Sequence, residues 1–579
     1  MMAICVPIAS VIMTPADFKL LGQSVFATTI FSSNMLFWYQ AGYFDVPASS
    51  RPFLHTWSLA VEEQFYAVFP IFLIIISKYC SNKRAVLTFI IFVFSFILSI
   101  STVKDHPSAA FYLAPHRVWE VLIGALIAMS RSGFGQLGRL SNNLLCFIGL
   151  GAIAAAIFCY SPSMTFPGVA ALPPVLGTAA IIWAGRGVQP GLSRALGWAP
   201  FVFVGKISYS LYLWHFPLLA LAGYVAIEGL DAAEKFLVIA LAFGCAILSW
   251  IYVEQPIRRR RFGGLEKQKV ISVAMAVMVV FGGAGLGIHL TNGFSNWLDP
   301  GSKRILASET DIDTALAACE ASDERKILRG ELCGMGVREH PPKFILWGDS
   351  HAEALRSGID DSAVRKGWSG VFAGRGGCAP VLHVERVDEP SCGPINQAIA
   401  TYIVSTPSIE IVVLSARWGL WAEGTRYKHE DRKPAVIVIR PSEGEATAEA
   451  SNHQAFASGL MQTIEALRQA GKEVWLIGPV PEVGYIVPRF AYLKTRPGLE
   501  HIDIRPTRDE FESREEFVFS LFNEAREKHD VKLLWLHEAL CDMTHCRVEE
   551  NGVPIYQDDN HLTRTEALTL SPRFDSIFR

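Results

Sequence analysis

At 579 residues the chain is too long for one ordinary domain. Hydrophobic residues make up 51% of it, and the mean hydropathy of +0.28 is high for a soluble protein. The formal net charge is −3, which excludes the strongly basic surface of a nucleic-acid-binding protein.

The apolar residues run in long blocks up to about residue 290, and in short strand-like runs between charged stretches after it. Met1–Met13 reads as the tail of a membrane span, without the basic leader and cleavage site of a signal peptide. Val25–Tyr39 is apolar but short and carries Ser32, Ser33 and Asn34, so it reads either as a span or as a re-entrant segment held against protein. A bilayer crossing takes roughly 20 apolar residues. Eight segments meet or approach that length: Phe65–Tyr79, Ala85–Val103, Phe111–Met129, Leu144–Tyr160, Gly168–Ala184, Gly205–Tyr224, Phe236–Val253 and Val270–Leu290. Basic residues fall in alternate connections, at Lys83 and Arg84, at Arg131 and Arg139, at Arg186 and Arg194, and in the run Arg258–Arg261. The positive-inside rule makes these loops cytoplasmic and sends the chain outward through Val270–Leu290. The part that follows is therefore expected outside the cytoplasm.

Ionisable groups inside a membrane are costly, so their presence there invites a functional reading. Four groups stand out. Arg51–Tyr66 contains His55, Glu62 and Glu63; His116, Arg117 and Glu120 open another helix; Ser208–Pro217 contains His215; and Tyr252–Arg258 contains Glu254. Any one alone reads as a structural ion pair or an interfacial anchor. Four on neighbouring spans point to a shared polar cavity. The runs HTWSLAVEEQFY, RVWE, SYSLYLWHFPL and YVEQPIRR closely resemble the membrane acyltransferase-3 family, over residues 1 to about 260. The resemblance implies transfer of an acyl group, commonly acetyl, from a cytoplasmic donor such as acetyl-CoA to an extracytoplasmic glycan. It also implies further amino-terminal helices, bearing an arginine and a transfer histidine, that the residues from Met1 onward do not supply. His55 belongs to a different motif and does not stand in for that histidine.

Residues 293–337 read as linker and cap, and 338–579 as a separate domain. Phe344–Trp347 forms an apolar strand, Gly348-Asp349-Ser350-His351 follows, and Ala352–Lys366 reads as a helix. Later strands are Ile411–Leu414, Val474–Ile477 and Lys532–Leu536, with a helix at Ser451–Ala470; Trp418–Ala450 reads as a charged, irregular insertion. This alternation predicts a parallel α/β sheet covered on both faces. Cys319, Cys333, Cys378, Cys392, Cys541 and Cys546 form an even set confined to this part, which suggests disulfides and an oxidising compartment. The expected pairs are Cys319–Cys333, Cys378–Cys392 and Cys541–Cys546. Zinc fits less well, because no tight pair of CxxC knuckles is present. The cysteines of the membrane part, Cys5, Cys80, Cys146, Cys159 and Cys245, read as small hydrophobes.

A serine at the carboxyl edge of a sheet, opening a helix, sits where α/β sites collect, and its weakly nucleophilic hydroxyl needs a base. Asp558-Asp559-Asn560-His561 near the carboxyl end supplies one. Ser350 is the expected nucleophile, His561 the base and Asp558 the orienter of the ring, with Asp559 as alternate. His351 is expected to pack or cap. The bland readings are that Asp349 merely caps a helix and that DDNH is a turn; a serine and a histidine in matched contexts at opposite ends of one domain outweigh them. The pattern resembles the SGNH hydrolase family, with a flavodoxin-like α/β fold. The family's glycine block is matched loosely by Gly374, Gly376 and Gly377. Its Gly-x-Asn-Asp block is replaced by Ser415-Ala416-Arg417-Trp418. The oxyanion would then rest on the Ser350 N–H, on Gly377 and on a third donor, for which Asn396 is the candidate. The two resemblances, in this order, match the arrangement of bacterial lipopolysaccharide O-acetyltransferases. They imply a multi-pass inner-membrane O-acyltransferase with a periplasmic carboxyl-terminal domain, in contact with membrane lipid, an acyl-CoA donor and an envelope polysaccharide such as O-antigen. No bound cofactor, metal or nucleic acid is expected. The rivals are a membrane-tethered carbohydrate acetylesterase and a glycan or lipid transporter with a sugar-binding domain.

Overall fold

The computed structural model describes residues 1–41, 51–130, 138–161, 164–185, 195–227, 229–258, 267–314, 323–428, 430, 436–441 and 452–579. The chain forms two compact units, Met1–Asn296 and Trp297–Arg579.

The first unit is helical. Among the described residues, six helices are long and apolar enough to cross a membrane: Thr56–Tyr79, Arg84–Thr102, Pro107–Met129, Leu140–Cys159, Ala232–Arg258 and Gln268–Leu290. Gly168–Ala184 is a shorter apolar helix. Ala199–Val225 is continuous over 27 residues, and its serines, tyrosines and His215 hold down its hydropathy. Large side chains such as Val68, Phe94, Phe147 and Val279 point outward from these helices, as lipid-facing residues do. Glycine sets the closest approaches between helices, as is common in membranes: a Cβ on Gly149 would lie 2.5 Å from the Gly177 carbonyl oxygen of the neighbouring helix. Val25–Tyr39 is one apolar run but not one helix. Pro15–Thr29 ends and Ser33–Gln40 begins, because Phe31 takes a positive φ of 55° and the Ser32 N–H bonds back to the Ala27 carbonyl. Arg131, Arg186, Arg194 and Arg259–Arg261, which carried much of the expected topology, lie outside the described residues.

The second unit is built on a six-stranded sheet in the order Cys333–Gly336, Ser369–Gly374, Phe344–Gly348, Ile411–Ser415, Glu473–Ile477, Lys532–Leu534. All neighbours are parallel except the first pair, which is antiparallel. The central strands are apolar on both faces, as expected where helices cover both sides. Trp347, Val412, Leu414, Val474 and Leu476 join one core with Ile399, Leu460 and Phe522 from the helices.

Three features differ from the expectation. Cys333–Gly336, inside the stretch read as linker and cap, is the edge strand of the sheet. Ser369–Gly374 is a buried strand that the sequence reading passed over, since three of its six residues are serine or glycine. Trp418–Ala450 does not begin as an irregular insertion: Trp418–Glu423 is a helix whose Trp418 and Trp421 are fully enclosed in the core. Residues 429, 431–435 and 442–450 of that segment lie outside the described set. Cys378–Cys392 and Cys541–Cys546 are disulfides. Cys333 is disulfide-bonded as well, while Cys319 lies outside the described residues. The five cysteines of the first unit are free.

Candidate active site

The carboxyl end of Phe344–Gly348 lies level with its two neighbours, Gly348 pairing with Gly374 on one side and Ser415 on the other. A Cβ on Gly348 would fall 1.8 Å from the Ser415 carbonyl oxygen and 2.6 Å from the Ala352 Cβ, so only glycine lets this strand end lie so close to its neighbours. Asp349 then caps the helix Ser350–Lys366, its Oδ1 accepting the His351 N–H at 2.8 Å. Ser350 is thus the first helical residue, at the sheet edge and partly exposed. Its own N–H belongs to the first turn, where no intrahelical acceptor exists.

His561, the expected base, is carried on the loop closed by the Tyr556–Leu562 bridge. The Asp558 Oδ1 accepts the N–H groups of Asn560 and His561 at 3.0 and 2.8 Å, which fixes the turn. Its Oδ2 takes the His561 Nδ1–H at 2.8 Å. That leaves Nε2 as acceptor for the Ser350 hydroxyl, also at 2.8 Å. The loop is pressed close by helix packing. Gly358, on the Ser350 helix, sits so near the following helix Arg564–Thr569 that a Cβ would lie 2.0 Å from the Ala567 carbonyl oxygen.

A cavity of about 380 Å³ opens at Ser350 and His561. Its wall includes Glu309, Asp313 and Thr314, from the stretch read as linker, with Glu353, Gln557 and Arg564. The segment is tied to the base loop's helix: Asp311 accepts the Arg564 N–H through its carbonyl and the Thr565 N–H through its carboxylate. Nothing in the composition of residues 309–314 marked them as part of a site.

Three expected helpers are placed elsewhere. Asn396 cannot serve as an oxyanion donor: its amide nitrogen donates to the Ala379 and Val381 carbonyls, and its oxygen accepts from the Trp347 indole. Asp559 is not the orienter, because its carboxylate is buried and accepts from the Asn560 amide at 2.9 Å while Asp558 holds the ring. Gly377 has a positive φ of 72° and gives its carbonyl to Arg386, but it does not line the Ser350 cavity. His351 packs, as expected. Burial holds it neutral, with its pKa pushed down to about 3, and its Nε2–H donates to the Asn560 Oδ1 at 3.0 Å. Burial also raises the Asp349 carboxyl above the usual carboxylate range, against the Arg417 and His351 N–H groups that it accepts.

In the first unit the expected shared cavity resolves into separate groups. A cavity of about 470 Å³ is lined by Trp57, Ser58, Glu62, Arg117, Glu120, Ser208, Tyr209 and Tyr212 among others. Arg117 pairs with Glu120 at 2.8 Å and lies over the Trp57 ring. His55 is buried beside it, its ring stacked on Phe216 and near Tyr212 and His215. Tyr212 joins the two groups, since it lines the cavity and donates to the His55 carbonyl at 2.6 Å. Glu254 does not line this cavity and is held by Ser210 and Arg258. Glu63, exposed like Glu62 beside it, does not line the cavity.

Residues 3–254 match the acyltransferase domain family and residues 318–576 match the SGNH domain that is fused to AT3 domains. The chain belongs to the membrane acyltransferases with a fused SGNH domain. It is 29% identical over 283 residues to the peptidoglycan O-acetyltransferase OatA of Listeria monocytogenes, covering 45% of this chain and 44% of that protein. It is 32% identical over 191 residues to an uncharacterized protein of Haemophilus influenzae, covering 31% of this chain and 78% of that one. A solved structure, the periplasmic domain of a lipopolysaccharide acetyltransferase from Salmonella ser. Paratyphi A, aligns at 18% identity with a TM-score of 0.31, over 43% of this chain and 92% of that one. The match thus spans less than half the length of the Listeria relative.

Proposed function

We propose that this protein is an O-acetyltransferase that takes an acetyl group from a cytoplasmic thioester, acetyl-CoA, and delivers it to a hydroxyl of a cell-envelope polysaccharide. The observation that carries the reading is the continuous hydrogen-bonded line Ser350–His561–Asp558, in a domain that follows an acyltransferase domain on one chain. In the first step the Ser350 Oγ attacks the acetyl carbonyl and its proton passes to the His561 Nε2, while Asp558 stabilises the imidazolium. The group of the membrane unit that took the acetyl from acetyl-CoA, with CoA released on the cytoplasmic side, departs with that proton. In the second step a sugar hydroxyl gives its proton to His561 and attacks acetyl-Ser350, and the proton returns to the Ser350 Oγ. Atoms balance with no other reactant. If water replaces the sugar, the product is acetate, which is the esterase outcome.

The acceptor is read as an envelope glycan. Peptidoglycan is the acceptor named for the Listeria relative, and O-antigen is the competing class. The inner membrane and a periplasmic second unit are part of the same proposal, supported by the apolar helices and by disulfides confined to the second unit. The Glu62, Arg117 and Glu120 cavity is assigned to the acyl donor, because it places a paired arginine and carboxylates among apolar helices.

The test is ester-linked acetyl on purified peptidoglycan and on lipopolysaccharide, from cells carrying wild type or Ser350→Ala. Serine-dependent acetyl on one of them supports transfer and names the acceptor. Free acetate with no glycan ester identifies an esterase.

A further inference from the structure

Beside the triad lies a buried charged group that no step of the proposed reaction uses. Arg417 stands in the segment that replaces the expected Gly-x-Asn-Asp block, and it is 6% exposed. Its guanidinium bonds Glu482 through Nε and Glu430 through Nη2 at 2.6 Å. Glu482 is 4% exposed and also takes Arg514 at 2.9 Å. Burial works against both charges, yet Arg417 and Arg514 hold the Glu482 carboxyl below its usual value, and the two glutamates hold Arg417 above its own. A buried ion pair is weak evidence for stability as such, since apolar residues of similar volume can replace it without loss. Its value lies in what it fixes.

Each end of this pair is tied to one end of the reaction. The Arg417 N–H donates to the Asp349 Oδ2 at 2.9 Å, and Asp349 is the cap that sets Ser350 at the helix start. At the other end, the segment that carries Glu482 holds the base loop through its backbone. Val483 and Gly484 donate to the Asp559 carbonyl at 3.0 and 3.1 Å, and Val487 donates to the Asp558 carbonyl at 3.1 Å. The Tyr556 hydroxyl donates to the Pro481 carbonyl at 3.0 Å. An unbroken path therefore runs from Ser350 through Asp349, Arg417 and Glu482 to Asp558 and His561. A shorter strut, His351 to Asn560, crosses the same gap directly.

We propose that Arg417 and Glu482 are positioning residues that set the distance between the Ser350 hydroxyl and the His561 imidazole. Both are buried and neither lines the Ser350 cavity, so they act through other residues. The inference rests on the reading of Ser350 as an activated nucleophile. A displacement of the base loop by a fraction of an ångström lengthens the 2.8 Å bond from Ser350 to His561 and slows proton transfer, while the cavity that binds substrate is unchanged.

The test uses the full chain in detergent and a fluorophosphonate, which reacts with serine as the Oγ–P bond forms, fluoride leaves and the hydroxyl proton passes to His561. The maximal labelling rate kinact and the half-saturating concentration KI are measured for wild type, Glu482→Gln, Arg417→Lys and the double variant Arg417→Met/Glu482→Met, with a thermal melt of each. In the folded variants kinact should fall about ten- to a hundredfold, with KI within about twofold of wild type. Arg417→Lys, which keeps the charge but cannot span both glutamates, should fall between wild type and the double variant. The double methionine variant removes both charges of the Arg417–Glu482 bridge while Glu430 keeps Arg426 and Arg514 keeps the Thr425 carbonyl, so it decides the matter if a single variant melts early and the double variant does not. An unchanged kinact in a folded variant overturns the proposal, as does a parallel loss of kinact, KI and melting temperature. Failure of wild type to label at Ser350, or equal labelling of Ser350→Ala, instead overturns the underlying assignment of the nucleophile.

Discussion

The hydroxyl of Ser350 gains its partner because two short motifs each carry their own local geometry. Gly348 permits the close approach to Ser415, Asp349 caps the helix, and Asp558 both shapes its turn and holds the His561 ring. Residues that act as a unit lose function together, so Ser350→Ala and His561→Ala should each reduce acetyl transfer by about 10³-fold or more, and the double variant should be little worse than either. Asp558→Asn should cost less, because it removes orientation and leaves the nucleophile and base. Steady-state transfer rates of the four variants check this. The same scale gives a pH prediction through His351. Its folded pKa, near 3, lies below the unfolded value of about 6.5. The stability it contributes is therefore complete above pH of about 6.5 and is lost as pH falls toward 3, on the order of 4 kcal/mol in all. His351→Gln, which keeps a donor for Asn560, should flatten the acid limb of the melting profile between those limits. An unchanged acid limb would contradict the assignment. At this scale the hydrogen-bonded line of Ser350, His561 and Asp558 was legible, because a strand ending in Gly-Asp-Ser and a terminal Asp-x-x-His each set their geometry locally. The fates of Asn396 and Asp559 were not. Whether an amide is spent on the Ala379 and Val381 carbonyls depends on chain segments far apart in sequence. Glu482 did leave a sign: it is a lone carboxylate within the apolar run Gly478–Val487, where a charge requires a buried partner.

Among the elements, the sheet was legible where strands are β-branched and apolar, as at Ile411–Ser415, and illegible where they are not. Ser369–Gly374 and Cys333–Gly336 are rich in glycine and are strands because their neighbours supply the hydrogen bonds. This has a consequence for any excised second unit. A fragment starting at residue 338 lacks the Cys333–Gly336 edge strand, the disulfide at Cys333 and the Glu309–Thr314 wall of the site. A fragment starting at Trp297 keeps them. The longer fragment should melt higher and should be the one that turns over a small activated acetyl ester; equal melting and turnover would show that this strand and wall are dispensable. Helix packing makes a second prediction. Gly358→Ala forces a methyl group against the Ala567 carbonyl, so the Arg564–Thr569 helix must shift. The cost should be about 1–3 kcal/mol, read from thermal or denaturant unfolding, with a loss of serine labelling because the base loop runs directly into that helix. A neutral Gly358→Ala would mean that the two helices are less tightly opposed.

Across the whole molecule, the division into a helical unit and an α/β unit follows from hydropathy alone, since long apolar blocks and short buried strands call for different surroundings. The membrane spans were placed by their length and composition. The break at Phe31 was not foreseen, because a positive φ there depends on packing and not on residue type. Two units on one chain make chemical sense if one receives an acyl group and the other holds it as an ester on Ser350. The most direct measurement is therefore to catch that ester. Full-length protein in sealed vesicles would receive an acetyl-labelled thioester with no glycan acceptor, followed by acid quenching, digestion and peptide sequencing. The account predicts label on the peptide containing Ser350, absent in Ser350→Ala and chased off by added glycan. Glycan acetylation that continues in Ser350→Ala, with no label ever on that peptide, would contradict it.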